Sequence, residues 1–134
     1  MAWAVAAALA ATVVTQAAND WPQSLGPSRN GIYAGPALAD NWGASGPKVV
    51  WRKQVGQGFA GPAVVGNRVI LFHRVGNEEV LESLDAANGN STWRYAYPTR
   101  YRDDFGFDEG PRAVPVVADG VIYTFGAEGQ LHAV

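Results

Sequence analysis

The sequence predicts an all-β protein built from short antiparallel strands, and three observations support this. After residue 18, short runs rich in β-branched and aromatic residues alternate with Gly, Asn, Asp and Pro, and helical periodicity is hard to find. Two-residue turn signals such as Asn88-Gly89 and Asp119-Gly120 separate the runs. Part of the pattern also recurs further along the chain, which indicates an internal repeat.

The turn signals divide the chain after residue 47 into eight predicted strands. These are Lys48–Gln54, Gly61–Val65, Arg68–Arg74, Glu79–Asp85, Ser91–Tyr97, Ala113–Val117, Val121–Phe125 and Gln130–Val134. A succession of short strands at this density is typical of a sandwich, a barrel or a propeller.

The internal repeat favours the propeller. Residues 63–70 align with residues 115–122 at an offset of 52, and residues 81–84 align with residues 131–134 at an offset of 50. Trp51-Arg52 is echoed by Trp93-Arg94, 42 positions later. Four strands recurring every 40 to 50 residues are typical of a propeller blade, and a Trp on each outer strand would fill the wedge between blades. We therefore predict a β-propeller of four-stranded blades.

Residues 83–93 (Ser-Leu-Asp-Ala-Ala-Asn-Gly-Asn-Ser-Thr-Trp) resemble the pyrroloquinoline-quinone-like (PQQ-like) propeller repeat. The motif of that family reads small-x-Asp-Ala-x-Thr-Gly-Lys-x-x-Trp, and four of its positions match, namely Asp85, Ala86, Gly89 and Trp93. Asn88 and Asn90 stand where Thr and Lys are usual. Residues 21–31 also look like the opening of secreted bacterial propellers of this type.

The resemblance implies a propeller of seven or eight blades, so this chain is expected to be its amino-terminal fragment. The expected parts are an arm over 19–47, a strand over 48–54 that closes the ring by pairing with a distant carboxyl terminus, and a first blade over 61–97. An interblade loop over 98–112 and an incomplete second blade over 113–134 follow. Such a fragment leaves strand edges and apolar faces uncovered, so aggregation or partial disorder is expected.

Residues 1–18 are predicted to be a signal peptide that is removed on export. They carry no charge, and the apolar run from Ala4 to Val14 precedes the small residues Ala17 and Ala18. The run is shorter than the roughly 20 residues that span a bilayer. The missing Lys or Arg before the run leaves a buried or interfacial helix as the alternative. Export places the protein in the periplasm or outside the cell, without a membrane span.

Composition excludes some classes of partner and some kinds of site. The formal net charge of −2 and the pI near 5.6 give no reason to expect nucleic acid. The chain has no cysteine, which excludes a disulfide framework, a thiolate metal site and, in this segment, a lipid anchor. His73 and His132 are expected to be packed or solvated, and Glu78 and Glu79 to be solvated charges.

Two sequence motifs are interpreted as structural. Residues 56–61 satisfy the GxGxxG pattern, but a predicted strand follows instead of the helix that a nucleotide fingerprint needs. Residues 90–92 match a glycosylation acceptor, which we interpret as a turn.

The predicted interblade loop is the main candidate site. It is long for a connection between strands, and it holds carboxylates, arginines and three aromatic residues. The candidate ligand-binding residues are Tyr101, Arg102, Asp103, Asp104, Asp108, Glu109 and Arg112. An arginine there could clamp an anionic group. The alternatives are a salt-bridged cap and a calcium site at the four acids, which lack the EF-hand spacing, so no metal site is assigned.

Three functional hypotheses remain open at this point. The first is a non-catalytic exported propeller that binds a protein, peptide or glycan through its loop face. The second, implied by the resemblance, is a dehydrogenase that oxidises an alcohol or sugar with PQQ and calcium. The third is the sensor portion of a larger signalling protein. No catalytic residue is assigned in any of them.

Overall fold

A computed structural model describes residues 19–134 and folds them entirely into strands, turns and loops. The predicted signal peptide, 1–18, lies outside the described residues. The strands are β1 (Ala63–Val65), β2 (Arg68–Val75), β3 (Glu78–Asp85), β4 (Ser91–Pro98), β5 (Val116–Ala118), β6 (Val121–Phe125) and β7 (Leu131–Ala133). Within this part of the chain no helix is long and apolar enough to cross a membrane. The all-β prediction is confirmed.

The strands form two antiparallel sheets in sequence order. The first sheet is β1-β2-β3-β4 and the second is β5-β6-β7. Two-residue turns at 66–67 and 76–77 join the first three strands, and Gly66 and Gly76 have φ values of 56° and 60° that favour glycine. Both sheets are open at their edges, so closure into a ring stays a prediction.

One face of the first sheet, which we call its front face, packs against the second sheet. Cross-strand pairing places Phe72 opposite Leu81, and both are fully buried. Ile122 of the second sheet joins the same apolar cluster, as do further side chains of both sheets, namely Ala63, Ile70, Tyr97, Trp93 and Val117. The hydrophobic core therefore lies between the two sheets.

The two sheets are equivalent repeats. The pair Phe72–Leu81 in the first sheet corresponds to the pair Phe125–Leu131 in the second. The equivalent positions lie 50 residues apart on β3 and β7, as the sequence alignment predicts. On β2 and β6 they lie 53 residues apart, so the predicted offset of 52 is wrong by one residue. The turn at Asp119-Gly120, which occupies the place of Gly66-Asn67, sets the true register.

The repeat motif forms a compact turn after β3. The Asp85 carboxylate accepts from the amide of Ala87, and the Asp85 carbonyl accepts from the amide of Gly89. Gly89 has a φ of 74°, and a Cβ on it would lie 2.7 Å from the Trp51 ring. The Trp51 Nε1 donates to the Ala86 carbonyl at 2.8 Å. The tight turn predicted for this motif is present, and Trp51 packs on it.

Seven of the eight predicted strands are present, with ends within three residues of the prediction. The exception is Lys48–Gln54, which forms no strand in the described chain. A strand needs a hydrogen-bonded neighbour. The neighbour predicted for this segment is a strand at a distant carboxyl terminus, and none of the seven strands takes its place. In the structure it runs beside the other face of the first sheet, the back face, where Lys53 pairs with Glu82 at 3.2 Å.

The amino-terminal arm ties the two sheets together. Trp21 exchanges both backbone hydrogen bonds with Val64 on the free edge of β1. The next residue, Pro22, accepts from the amide of Val117 on β5. Asp20 accepts from the amide of Gly66. Residues 20–22 thus span the gap between the sheets at the same edge.

The structure corrects the interpretation of Glu79 as a solvated charge. Its side chain is fully buried on the front face because strand alternation places it on the same side as Leu81. The Tyr97 hydroxyl donates to Glu79 Oε2 at 2.6 Å, and the amide of Ala127 donates to Oε1 at 2.8 Å. Glu78, by contrast, is exposed and pairs with Arg94 at 3.0 Å.

Candidate functional site

The long connection between β4 and β5 is anchored at its base by Arg74. This guanidinium is buried, and it donates to the carbonyls of Gly76, Tyr101 and Glu109. Its Nη1 also lies 3.3 Å from the Glu109 carboxylate. Arg74 therefore fixes two points of the loop, one at each end, to the edge of the first sheet.

The segment before β1 forms the second support of the loop. Gln57 pairs with Arg74 through the backbone, and its side-chain oxygen accepts from the amide of Glu109 at 3.0 Å. The amides of Phe59 and Ala60 both donate to the carbonyl of Pro111. The GxGxxG residues at 56–61 thus brace the loop, in agreement with their structural interpretation.

Asp103 organises the tip of the loop. Its Oδ2 accepts from the amides of Phe107, at 2.5 Å, and Asp108, at 3.2 Å. The bond from the Phe107 amide is the main reason that the pKa of Asp103 lies below its usual value; the Asp108 amide and the charge of Arg112 act in the same direction. This carboxylate stabilises the turn that carries Phe105 and Phe107.

Arg112 contacts two aromatic rings and two carbonyls of neighbouring residues. Its guanidinium lies over the ring of Tyr101, at 5.0 Å, and over that of Phe59, at 5.7 Å. It also donates to the carbonyls of Gly110 and Asp108. Two of its five N–H donors are used in these bonds and its side chain stays 41% exposed, so an anion clamp at Arg112 remains a prediction.

Arg102 also has a partner in the loop. Its Nη1 lies 2.6 Å from Glu109 Oε2, the same oxygen that faces Arg74. Arg102 and Arg112 therefore both contact groups of the loop itself, while their side chains remain 67% and 41% exposed.

Three of the four acidic residues of the loop are engaged by groups of the protein itself. Asp103 binds backbone amides, Glu109 pairs with arginines, and Asp108 accepts from the amide of Gly110. Only Asp104 is exposed and makes no such contact in the part of the chain that the structure describes. Among residues 19–134 no three His, Cys, Asp or Glu side chains are grouped so that they could hold a metal ion.

Two phenylalanines at the loop tip are exposed. Phe105 is 82% exposed and Phe107 is 79% exposed, and their rings stack with centroids 6.4 Å apart. They line an open hollow of about 460 Å³, whose other walls include Tyr101, Asp104 and Phe59. These large apolar side chains are exposed to solvent on a loop that is anchored at its base. Exposed apolar side chains of this kind are typical of a surface that binds another molecule.

Reasoning from the sequence located the loop but missed part of the site. The seven candidate residues all lie in it, yet only Tyr101, Arg102, Asp103, Asp104 and Arg112 line the hollow. The sequence identifies Phe105 and Phe107 only as aromatic residues of the loop. The sequence does not identify Phe59, Gln57 or Arg74 as residues of the site. For Arg74, the only indication in the sequence is the turn at 76–77, across which its strand pairs with the next one.

The two histidines are packed side chains, as predicted. His73 is buried, and its Nδ1 accepts from the amide of Gly56 at 2.8 Å. Burial lowers the pKa of His73, and the opposing effect of the Glu82 carboxylate is smaller. His132 stacks on Tyr97 with ring centroids 4.1 Å apart.

No family model, no curated protein and no solved structure matches this chain.

Proposed function

We propose that the two stacked sheets are blades of an exported PQQ-like β-propeller that acts as a binding or scaffold module. Two observations support the architecture. Equivalent residues occupy equivalent positions in the two sheets, and the motif from Asp85 to Gly89 makes the turn on which Trp51 packs. Stacked copies of one small sheet are the arrangement that blades require.

The module binds a protein, peptide or glycan through the loop at residues 101–112. The observation that carries this proposal is the exposure of Phe105 and Phe107 on a loop whose backbone is fixed by Arg74 and Asp103. Aromatic side chains carried on an ordered backbone lose less entropy in a complex than those on a disordered segment, and aromatic anchors commonly supply most of the affinity. They suit an apolar side chain or the flat face of a sugar ring, with Asp104 at the rim as a hydrogen-bond acceptor.

The test is selection of ligands from a random-peptide display library and a glycan array, using the whole chain as bait. The double variant Phe105→Ala/Phe107→Ala should bind the selected ligands at least about tenfold more weakly, since aromatic anchors typically contribute more than 1 kcal/mol each. A matched control is Leu38→Ala/Trp42→Ala, which removes two exposed apolar side chains elsewhere. Failure to select any ligand, or equal binding by the loop variant, would refute the proposal.

A further inference from the structure

The imidazole of His73 holds residues 53–57, the segment that runs along the back face of the first sheet. Its Nδ1 accepts a 2.8 Å hydrogen bond from the amide of Gly56. A ring nitrogen that accepts a hydrogen bond carries no proton, so the proton of the neutral ring lies on Nε2. The side chain is buried, and Nε2 has no hydrogen-bond partner in the part of the chain that the structure describes. The contact with Gly56 therefore requires a neutral His73 in one tautomer.

The charged groups that face this imidazole come from β3, β4 and the segment itself. Glu82 of β3 places its Oε2 3.6 Å from His73 Nε2 and pairs with Lys53 of the segment at 3.2 Å. Arg94 of β4 lines the same hollow. Burial disfavours a protonated ring most strongly, the two cations act in the same direction and Glu82 opposes them, so the pKa of His73 lies below its ordinary value of 6.5. The surroundings of the ring therefore favour its neutral form.

Protonation of His73 and the hydrogen bond from Gly56 exclude each other. An imidazolium carries a proton on each ring nitrogen, so Nδ1 and the Gly56 amide would be two donors that face each other. The segment has no room to shift toward the sheet, since a Cβ on Gly56 would already collide with the Arg74 carbonyl. Protonation of the ring therefore has to displace the segment from the sheet.

The same segment supports the candidate binding loop. Gln57 follows Gly56 and exchanges both backbone hydrogen bonds with Arg74. Its side-chain oxygen accepts from the amide of Glu109 in the loop. Gly110 packs so closely on the Gln57 carbonyl that a Cβ does not fit between them. Displacement of Gly56 and Gln57 therefore removes a support of the loop.

We propose that protonation of His73 releases residues 53–57 from the first sheet and loosens the loop at residues 101–112, so that binding through this loop weakens in acid. This regulation rests on the loop binding proposed above. In the released form the ring meets water, and its pKa returns to the ordinary 6.5. The released fraction therefore rises as the pH falls below 6.5, by up to about tenfold per pH unit, until the closed form is protonated as well.

Hydrogen exchange of the whole chain, read amide by amide between about pH 8 and about pH 5, tests the proposal. After correction for the intrinsic exchange rate, the protection of the Gly56 and Glu109 amides should fall below pH 6.5 by up to about tenfold per pH unit. Both amides should stay less protected than those between β2 and β3, because the opening is local.

Two variants at the ring identify the titrating group. His73→Asn keeps an oxygen that can accept from the Gly56 amide and cannot titrate in this range, so the pH dependence should disappear. Glu82→Gln removes the charge that favours a protonated ring, so the decline should extend to lower pH. His132→Asn is the matched control, because it removes the other histidine of the chain and should leave the pH dependence intact.

Protection of the Gly56 and Glu109 amides that does not change with pH, or that falls equally in His73→Asn, would overturn the proposal. Equal protection of these amides and of those between β2 and β3 would also overturn it, because the opening would then be global unfolding. Failure of the loop to select a ligand is a separate outcome, which refutes the proposed function, since hydrogen exchange needs no ligand.

Discussion

The Tyr97 hydroxyl donates a 2.6 Å hydrogen bond to the buried Glu79 carboxylate, at the point where the two sheets meet. The second oxygen of Glu79 accepts from the amide of Ala127, in the turn between β6 and β7. His132 of β7 stacks on the same tyrosine ring. Polar contacts therefore join the sheets beside the apolar core, and they fix the position of one sheet on the other.

Tyr97→Phe should lower the free energy of unfolding by about 1–3 kcal/mol, because it leaves a buried acceptor without its donor. Urea denaturation followed by tryptophan fluorescence measures the loss. Tyr33→Phe is the control, since that hydroxyl hydrogen-bonds to Asn19 on the surface. If both variants were equally stable, the buried hydrogen bond would not hold the sheets together.

Alkaline pH should lower the stability of the fold through the same tyrosine, Tyr97. Burial, reinforced by the hydrogen bond to Glu79, raises the pKa of Tyr97 well above the ordinary value of 10.0. The folded state therefore keeps a proton that the unfolded state releases, so this contribution to stability is full below pH 10 and declines as the pH rises above it. Urea denaturation across that range should give a smaller decline for Tyr97→Phe. An identical decline in both proteins would contradict the assignment.

Gly126 packs so closely against the Glu79–Tyr97 hydrogen bond that a Cβ does not fit there. A Cβ there would lie 2.2 Å from Glu79 Oε2 and 2.5 Å from the Tyr97 hydroxyl. Gly126→Ala should therefore destabilise the fold by about 1–3 kcal/mol through overpacking. Gly61→Ala is the matched control, because its Cβ would meet the nearest atom at an ordinary 3.7 Å. Thermal unfolding of both variants measures the difference; similar melting temperatures would show that the contact yields easily.

Much of the fold follows from local sequence signals. Paired Gly, Asn and Asp residues mark the hairpin turns, and the runs between them become the seven strands. The register of the second repeat, by contrast, does not follow from the sequence alignment. Aligning Val64-Val65 with Val116-Val117 gives the best sequence match, but the turn at Asp119-Gly120 shifts the true equivalence by one residue. A one-residue slip exchanges the two faces of a strand, so the sequence alignment equates the wrong sides.

The candidate site was predictable only in outline. Its length and composition identify the loop, but the residues that shape it come from distant parts of the chain. Arg74 lies 27 positions before Tyr101, and Gln57 lies 52 positions before Glu109, to which their side chains bond. Such contacts depend on how the sheet is paired. Sequence alone also could not reveal that the Arg112 guanidinium lies over the rings of Phe59 and Tyr101.

Trp51 should stabilise the chain although its segment forms no strand. Trp51→Ala removes the ring that covers Gly89 and the hydrogen bond to the Ala86 carbonyl, and it should cost about 2 kcal/mol. Trp42→Ala is the control, because that ring is more than half exposed. Chemical denaturation monitored by circular dichroism compares them. Equal stability of the two variants would mean that Trp51 contributes no packing.

Asp103 should control the order of the loop without controlling the fold. Its lowered pKa means that the ionised carboxylate stabilises the folded loop above the usual pKa of about 3.8, and that this contribution is lost as the pH falls through the still lower folded value. Asp103→Ala should therefore speed hydrogen exchange at the amides of Phe107 and Asp108 at neutral pH. Exchange in the paired strands β2 and β3 should be unchanged. Asp104→Ala, at the exposed neighbouring acid, is the control; faster exchange there to the same extent would show that Asp103 has no special part in shaping the loop.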